Sequence, residues 1–427
     1  MLHHTKRRKH MSRVQIRDNY FIKDGKPFFY QGDTLWMAFS KMQPAEWREL
    51  LRARRAQRFT VAQISVLPIT HDNAASEQDL HPFFLGADGR YDFDRINTAY
   101  FDRAVELLAE TVKQDIVPCL HLLWVDYVPG TWGAHLNDEH AMTPEQAERF
   151  LRYIIPRFEP YEPIYSVTGD TAFESEAVTA FYERAIALLR ALAPEALLTM
   201  HLTPKAYPPA SLSVDFHSYQ AGHNAHEQDN NFRFAAQFYA RGDGKPIVNS
   251  EPPYEAHGAI GGARRFTAYD IRRAFWQSLL SGASAGVGYG AHGTWMMYRD
   301  NLPFSNVQFS GKPYEWRTAL HLDGAWEGAF AQQLYEHYQL FGMRPHACLR
   351  DMPPEVCAAA NAAGTILIYA PFGCDVTTTL PTSAYECNAF DMTSKRYMRP
   401  ETAEGEQLTL LMPPCVGDVL YILSPKK

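Results

Sequence analysis

Short apolar runs alternate with amphipathic stretches over some 300 residues of the chain. Residues 59–67 and 116–124 are mostly apolar, as is typical of strands buried on both faces of a sheet. Residues 176–192 instead carry apolar side chains at helical spacing. Eight strand and helix units follow in order, which predicts an α/β fold, a (β/α)₈ barrel, rather than an open doubly wound sheet. The predicted strands are 26–33, 59–67, 116–124, 163–170, 197–202, 214–219, 246–251 and 285–290.

Local signals support this arrangement. Pro44 and Pro144 occupy first-turn positions of predicted helices, where a missing N–H is tolerated. Thr143, followed by Gln146, is a capping signature at the start of the second of these helices. Residues 31–34 read Gln-Gly-Asp-Thr, and this is not the glycine-rich loop that a dinucleotide-binding sheet requires after its first strand.

The pattern changes after Pro345. Short β runs, separated by Pro, Gly, Ser and Asn, predict a C-terminal antiparallel β-sandwich. An Asp-Gly pair at 24–25 predicts a hairpin ahead of the first barrel strand, placed to plug the bottom of the barrel. We therefore expect a disordered basic N-terminus at 1–13, a catalytic barrel with its hairpin at 14–341, and the sandwich at 342–427. The connection at 342–345 is too short for a flexible tether, so we expect the sandwich to pack firmly on the barrel.

Composition and charge narrow the possible partners and the location of the protein. The chain has 427 residues and a net charge of −7, so nothing favours a nucleic-acid or membrane partner. The basic N-terminus is not followed by an apolar segment, and no stretch reaches the ~18 apolar residues of a membrane span, so we expect a cytoplasmic protein. The six cysteines lack zinc spacing, and we expect them to be reduced.

Two acidic residues close predicted barrel strands. Asp170 ends the fourth strand and Glu251 ends the seventh, at the face where barrel enzymes carry their active sites. One acidic residue in such a place is often a helix cap or a salt-bridge partner. Two carboxyl groups at one barrel mouth are the catalytic equipment of a glycoside hydrolase. Asp170 and Glu251 are therefore the candidate catalytic pair.

Further polar and aromatic residues fall at or just beyond the predicted strand ends. We expect them to bind sugar hydroxyls or to form the apolar walls of the site. These residues are Asp33, Trp36, His121, Trp124, His201, His217, Gln220, His223, Glu255, Tyr289, His292 and Trp295.

The chain also carries residues that occur in other kinds of active site. His121, His201, His217 and His223 are the types of residue that bind zinc in barrel metallohydrolases, but such enzymes usually carry a His-x-His pair on the first strand. That pair is missing at 31–33, so we expect neither a metal nor a cofactor. No G-x-S-x-G elbow occurs. A non-catalytic carbohydrate-binding barrel and a metal-dependent barrel hydrolase are the two alternatives. The intact carboxylate pair argues against the first, and activity that is insensitive to EDTA would exclude the second.

Five stretches in order, 24–36, 54–63, 217–223, 249–255 and 289–295, resemble the apiosidase-like glycoside hydrolases. The tail around 368–373 is similar to the β-sandwich, labelled collagen-binding, that follows the barrel in that family. The resemblance implies removal of a terminal pentofuranose, such as apiose or arabinofuranose, from plant-type oligosaccharides by a retaining mechanism.

The resemblance also implies that Asp170 is the general acid/base and Glu251 the nucleophile. Thr168-Gly169-Asp170 departs mildly from the expected Gly-Gly-Asp. Many relatives carry export signals, and their absence here favours work on imported oligosaccharides over the breakdown of an external polymer.

Overall fold

The structure is a computed structural model that describes residues 12–76, 80–414 and 417–426. Most of the predicted basic N-terminus, residues 1–11, lies outside the described residues. The chain forms an eight-stranded parallel sheet that curls into a nearly closed barrel, which confirms the predicted fold. Its strands are Tyr30–Thr34, Val61–Ser65, Val117–Trp124, Ile164–Gly169, Leu198–Thr199, His217–Gln220, Ile247–Glu251 and Gly286–Tyr289.

The ladder is open between the fifth and sixth strands. There the Asp215 N–H donates to Leu198 O at 2.9 Å, and Thr199 Oγ1 donates to Phe216 O at 3.0 Å. The fifth strand has two residues, and the loop that follows at 200–216 contains no helix. The expectation of eight complete strand–helix units is therefore corrected at this position.

Helices cover the outside of the barrel, and no helix in the described part of the chain is long and apolar enough to cross a membrane. Both predicted first-turn prolines, Pro44 and Pro144, begin helices, and the predicted capping box is present at Thr143. The helix at Pro44 has a capping box as well, which was not predicted. A small hairpin, Phe83–Leu85 with Tyr91–Ile96, lies between the second and third barrel strands. The helices are Ala38–Lys41, Pro44–Ala56, Thr98–Lys113, Trp132–Leu136, Pro144–Phe158, Glu176–Leu192, Asn230–Tyr239, Ala268–Leu280, Val307–Ser310, Trp316–Ala319 and Glu327–His337.

Three short strands, Gln15–Arg17, Tyr20–Lys23 and Lys26–Phe28, precede the barrel. Asp24 and Gly25 form the predicted turn, with φ angles of 53° and 74°. Phe21 from this sheet is fully buried in an apolar cluster with the first residues of several barrel strands. The hairpin therefore closes the bottom of the barrel and leaves the opposite end for the site.

The C-terminal part forms a six-stranded and a two-stranded antiparallel sheet. Ile366 and Ile368 pack between these two sheets, whereas Leu367 and Tyr369 point the other way, into a cluster with the barrel helix Ala268–Leu280. The larger sheet is thus buried on both faces. The strands are Arg344–Pro345, Cys357–Ala360, Ile366–Ala370, Val376–Pro381, Tyr385–Asp391, Arg396–Met398, Gln407–Leu410 and Val419–Pro425.

A buried ion pair joins this sheet to the barrel. Arg272 donates to both carboxylate oxygens of Asp418 at 2.7 Å, and Tyr369 Oη donates to the same carboxylate at 2.7 Å. The side chains of Arg272 and Asp418 are 7% and 0% exposed. Burying such charges is tolerated because each is fully paired, and this contact fixes the sheet on the barrel wall.

Candidate active site

Asp170 and Glu251 line one cavity at the C-terminal ends of the barrel strands. The cavity has a volume of about 220 Å³, and both residues are more than nine-tenths buried. Six of the predicted binding residues line the same cavity. These are Trp36, Trp124, His201, Gln220, His223 and Trp295.

Two histidines hold Glu251. His223 Nε2 lies 3.0 Å from Oε1, and His201 Nε2 lies 3.2 Å from Oε2. The Tyr254 N–H donates to His223 Nδ1 at 3.4 Å, which leaves Nε2 of that ring to carry the proton toward the carboxylate. Burial raises the pKa of Glu251, but the two histidines outweigh it and hold the pKa well below its usual range. Glu251 is therefore ionised, as a carboxylate nucleophile must be.

Tyr254 also lines the cavity, although it was not among the residues predicted from the sequence. Trp36 Nε1 donates to its hydroxyl at 2.9 Å. Burial, and then the negative charge of Glu251, raise the pKa of Tyr254 well above its usual value, so the phenol stays neutral. A Cβ on Gly290 would lie 2.1 Å from the Tyr254 ring, so a glycine is needed there for the ring to occupy its place.

Asp170 is held differently. Gln220 Nε2 donates to Oδ1 at 2.6 Å. Burial raises the pKa of Asp170, and the charge of Glu251 adds to this, while His71 and His201 oppose it. The pKa of Asp170 is thus raised while that of Glu251 is lowered, which is the division between a proton donor and a carboxylate nucleophile.

The backbone of Asp170 has a φ of 57°, in the left-handed region that Asp tolerates better than most residues. The preceding Gly169 lies against the face of the Trp124 ring, where a Cβ would come within 2.0 Å of a ring atom. Trp132 Nε1 donates to the Asp170 carbonyl at 2.9 Å. The turn after the fourth strand therefore depends on this glycine and both tryptophans.

Aromatic rings form the walls. The ring centroids of Trp36 and Trp124 are 5.2 Å apart, and His201 lies 5.3 Å from the first and 5.5 Å from the second. His121 packs beneath them, 4.6 Å from Trp36, and does not line the cavity. Its predicted contact with sugar is therefore corrected to a supporting position under the cavity floor.

Two predicted residues face the surrounding helices instead of the barrel interior. Arg54 Nε donates to Asp33 Oδ2 at 2.6 Å, and both side chains are 1% exposed. His217 Nε2 lies 2.7 Å from Asp243 Oδ2, and its ring packs on Phe238. Neither lines the cavity, because alternate residues of a strand point to opposite faces.

Three more predicted residues lie outside the cavity. Tyr289 Oη donates to Glu255 Oε2 at 2.7 Å, and the Gly324 N–H donates to both oxygens of Glu255 at 3.0 Å. His292 Nε2 lies 2.9 Å from Gly311 O, and burial lowers the pKa of His292 to about 4. The predicted sugar contacts of Tyr289, Glu255 and His292 are therefore replaced by internal bonds that fasten the loops around the site.

Several cavity residues come from loops, or from the four-residue helix Val307–Ser310, where the sequence carries no periodic signal, and they were not predicted. Besides Tyr254, they are Ile69, His71, Asn73, Pro204, Gly222, His257, Ile260, Phe304, Asn306, Phe309 and Ser310. Within the described ranges, no group of three or more His, Cys, Asp or Glu side chains is arranged to hold a metal ion.

An eight-stranded barrel with two buried carboxyl groups of opposite pKa shift in one cavity is the arrangement expected of a glycoside hydrolase. The family described as "Apiosidase-like, catalytic domain" matches residues 17–342. The chain belongs to this family of glycoside hydrolases, which confirms the resemblance seen in the sequence, and its substrate is a carbohydrate.

Solved structures share the fold. A protein titled "Glycoside hydrolase" is 16% identical with a TM-score of 0.78, covering 97% of each chain. A glycoside hydrolase family 5 protein from Bacteroides vulgatus is 16% identical with a TM-score of 0.79, covering 97% of this chain and 94% of that one. An endo-1,4-beta-mannanase from Rhizomucor miehei is 12% identical with a TM-score of 0.52, covering 76% and 100%. No curated protein matches the chain.

Proposed function

We propose that this enzyme removes a terminal sugar from an oligosaccharide, with Glu251 as nucleophile and Asp170 as general acid/base. The observation that carries the proposal is the contrast between the two carboxyl groups. Glu251 is kept ionised by two histidines, whereas burial keeps a proton on Asp170 to a higher pH.

The proposed reaction has two steps. Glu251 Oε attacks the anomeric carbon while the bond to the leaving oxygen breaks, and Asp170 gives its proton to that oxygen. The negative charge of Glu251 disappears in the resulting ester, which removes one cause of the raised pKa of Asp170. The Asp170 carboxylate then takes a proton from water, whose oxygen displaces Glu251 and releases the sugar with its configuration retained.

The size of the cavity supports a single sugar ring at the cleavage point. Its volume of about 220 Å³ is below the roughly 300–1,000 Å³ of typical small-molecule pockets. Trp36, Trp124 and Trp295 offer apolar surface to the faces of the ring. Together with the family, this favours a terminal pentofuranose, apiose- or arabinofuranose-like, taken from plant-type oligosaccharides.

Action in the cytoplasm on imported oligosaccharides remains part of the proposal, and cell fractionation tests it.

The test is a panel of 4-nitrophenyl pentofuranosides and hexopyranosides, assayed with the wild type and with Asp170→Ala and Glu251→Ala. We expect turnover of a furanoside, lost in both variants, and retention of the anomer when the first product is followed by proton NMR. Turnover of hexopyranosides without any furanoside would overturn the proposed sugar. An inverted product would overturn the nucleophile role of Glu251.

A further inference from the structure

His71 lies at the edge of the cavity beside Asp170. Its Nε2 is 3.6 Å from Asp170 Oδ2, the oxygen that Gln220 leaves free. The His71 side chain is 44% exposed, against 12% for Asp170. A leaving-group oxygen that takes a proton from Oδ2 must therefore approach beside the imidazole ring.

The ring is held in this place by aromatic contacts. It makes edge-to-face contacts with Trp124 and Trp132, with centroid distances of 6.3 and 5.4 Å and interplanar angles of 76° and 66°. Trp132 also bonds the Asp170 carbonyl, and Trp124 packs under Gly169. The same two indoles thus support His71 and the backbone of Asp170.

The chain is anchored on both sides of His71. Before it, the Thr70 N–H donates to Asp126 Oδ2 at 3.2 Å. After it, the buried Lys41 Nζ donates to Asp72 Oδ1 at 2.5 Å. A buried ammonium group is unfavourable unless it is paired, and the ammonium group of Lys41 is paired with Asp72 in this loop. The position of His71 in the chain is therefore fixed by the anchored residues on either side of it.

We propose that His71 is a positioning residue for Asp170. Its imidazole lies 3.6 Å from Oδ2, on the side where the leaving group departs, and closes to a hydrogen bond with that oxygen when Asp170 is ionised between the two steps, which stabilises the carboxylate. This inference rests on the proposed function. Asp126 and Asp170 face the imidazole from the loops after the third and fourth strands, while Glu251 and His201 face Asp170 from the seventh and fifth.

The direction in which His71 changes the pKa of Asp170 follows from charge. An imidazole N–H, or an imidazolium, favours the ionised form of a nearby carboxyl and lowers its pKa. Without His71, Asp170 keeps its proton to a higher pH, so the alkaline limb of kcat/KM moves upward. The carboxylate needed for the second step is then less stable and less well placed, so kcat falls.

The first test compares His71→Ala and His71→Gln with His346→Ala, which removes an exposed histidine outside the cavity. The probe is the 4-nitrophenyl glycoside that the wild type turns over best, together with its 2,4-dinitrophenyl analogue. We expect His71→Ala to lower kcat on the nitrophenyl glycoside roughly 10- to 100-fold, as a misplaced catalytic group does. The formation of the ester from the dinitrophenyl glycoside, which needs little acid help, falls less.

His71→Gln keeps a neutral N–H donor, so it should recover part of kcat, and its alkaline limb should lie between those of His71→Ala and the wild type. His346→Ala should match the wild type. A loss confined to KM, equal for both leaving groups and without a change in the pH profile, would mean that His71 merely fills space, and the proposal would be overturned.

The second test does not need turnover. Carboxyl carbons of ¹³C-labelled aspartate are followed by NMR against pH, with Asp170→Asn identifying the Asp170 signal. We expect Asp170 to titrate at a higher pH in both His71 variants than in the wild type. An unchanged titration overturns the proposal. A displaced titration in a protein that cleaves none of the glycosides would support the contact and overturn the proposed function instead.

Discussion

Glu251 and Glu255 are four residues apart, and the structure gives them different surroundings. Glu251 faces the cavity with a histidine beside each oxygen, whereas both oxygens of Glu255 accept bonds from the loop at Gly324. We expect Glu251→Ala to abolish turnover of an activated glycoside, because the nucleophile is gone, and azide to restore part of it by taking the vacant place.

The control for Glu251→Ala is the variant Glu255→Ala. It removes the acceptor for Tyr289 Oη and the Gly324 N–H, so it should lower thermal stability while azide restores nothing. Rates are measured with and without azide, and the product is examined for a glycosyl azide. Rescue of Glu255→Ala in place of Glu251→Ala would show that the nucleophile has been misassigned.

The pH profile follows from the two carboxyl groups. The proposed mechanism requires Glu251 to be ionised and Asp170 to be protonated. The pKa of Glu251 is held below its usual range and that of Asp170 is raised above it, so the range in which both conditions hold is widened at each end. We expect kcat/KM to be bell-shaped, with an alkaline limb above the ordinary Asp value of about 3.9. The variant Gln220→Ala loses the hydrogen-bond donor to Asp170. If this variant keeps part of its activity and its alkaline limb is unchanged, the assignment is contradicted.

Among the structural elements, the turns after the strands depend on glycines that have no room for a side chain. A Cβ at Gly290 would lie 2.1 Å from the Tyr254 ring. We expect Gly290→Ala to displace this ring from Trp36 and to lower kcat at least about tenfold. Gly244→Ala is an informative comparison, because its Cβ would meet nothing within 4 Å while its φ of 72° still disfavours alanine. That variant should lose stability without losing kcat, as measured by thermal unfolding and initial rates.

The sequence predicted the elements well because their signals are local. The helix Glu176–Leu192 matches its predicted limits, and Thr143 caps its helix as expected. The direction of individual strand side chains is not a local property. Buried parallel strands are apolar on both faces, so nothing in the sequence shows that Asp33 points toward Arg54 and away from the cavity. Loop residues such as His71 carry no periodicity, and their place depends on distant anchors such as Lys41.

At the scale of the whole molecule, the barrel and the C-terminal sheets share one apolar cluster. Phe275 and Leu279 of a barrel helix pack with Leu367 and Leu420 of the larger sheet. Burial of this kind contributes about 25 cal/mol per Å² of apolar surface, so a barrel deprived of the sheet would expose a large patch. We propose that the domain boundary lies at 341/342 and that the sheets support the barrel.

Removal of residues 342–427 tests this proposal. The truncated barrel should be insoluble or strongly destabilised, because the cluster and the guanidinium of Arg272 lose their cover together. A point variant separates the charge from the area. Asp418→Asn removes the carboxylate that pairs with Arg272 through two hydrogen bonds and leaves the buried guanidinium with Glu327 alone, at 3.1 Å, which should cost about 3 kcal/mol, the low end for breaking a buried ion pair. Asp300→Asn breaks an ion pair with Lys312 in which both side chains are well exposed, and should change the free energy of unfolding by less than about 1 kcal/mol. Chemical unfolding of the full-length variants gives both values. A soluble truncated barrel with full activity would refute the supporting role, whereas loss of solubility on truncation together with a large effect of Asp418→Asn would tie that role to this interface.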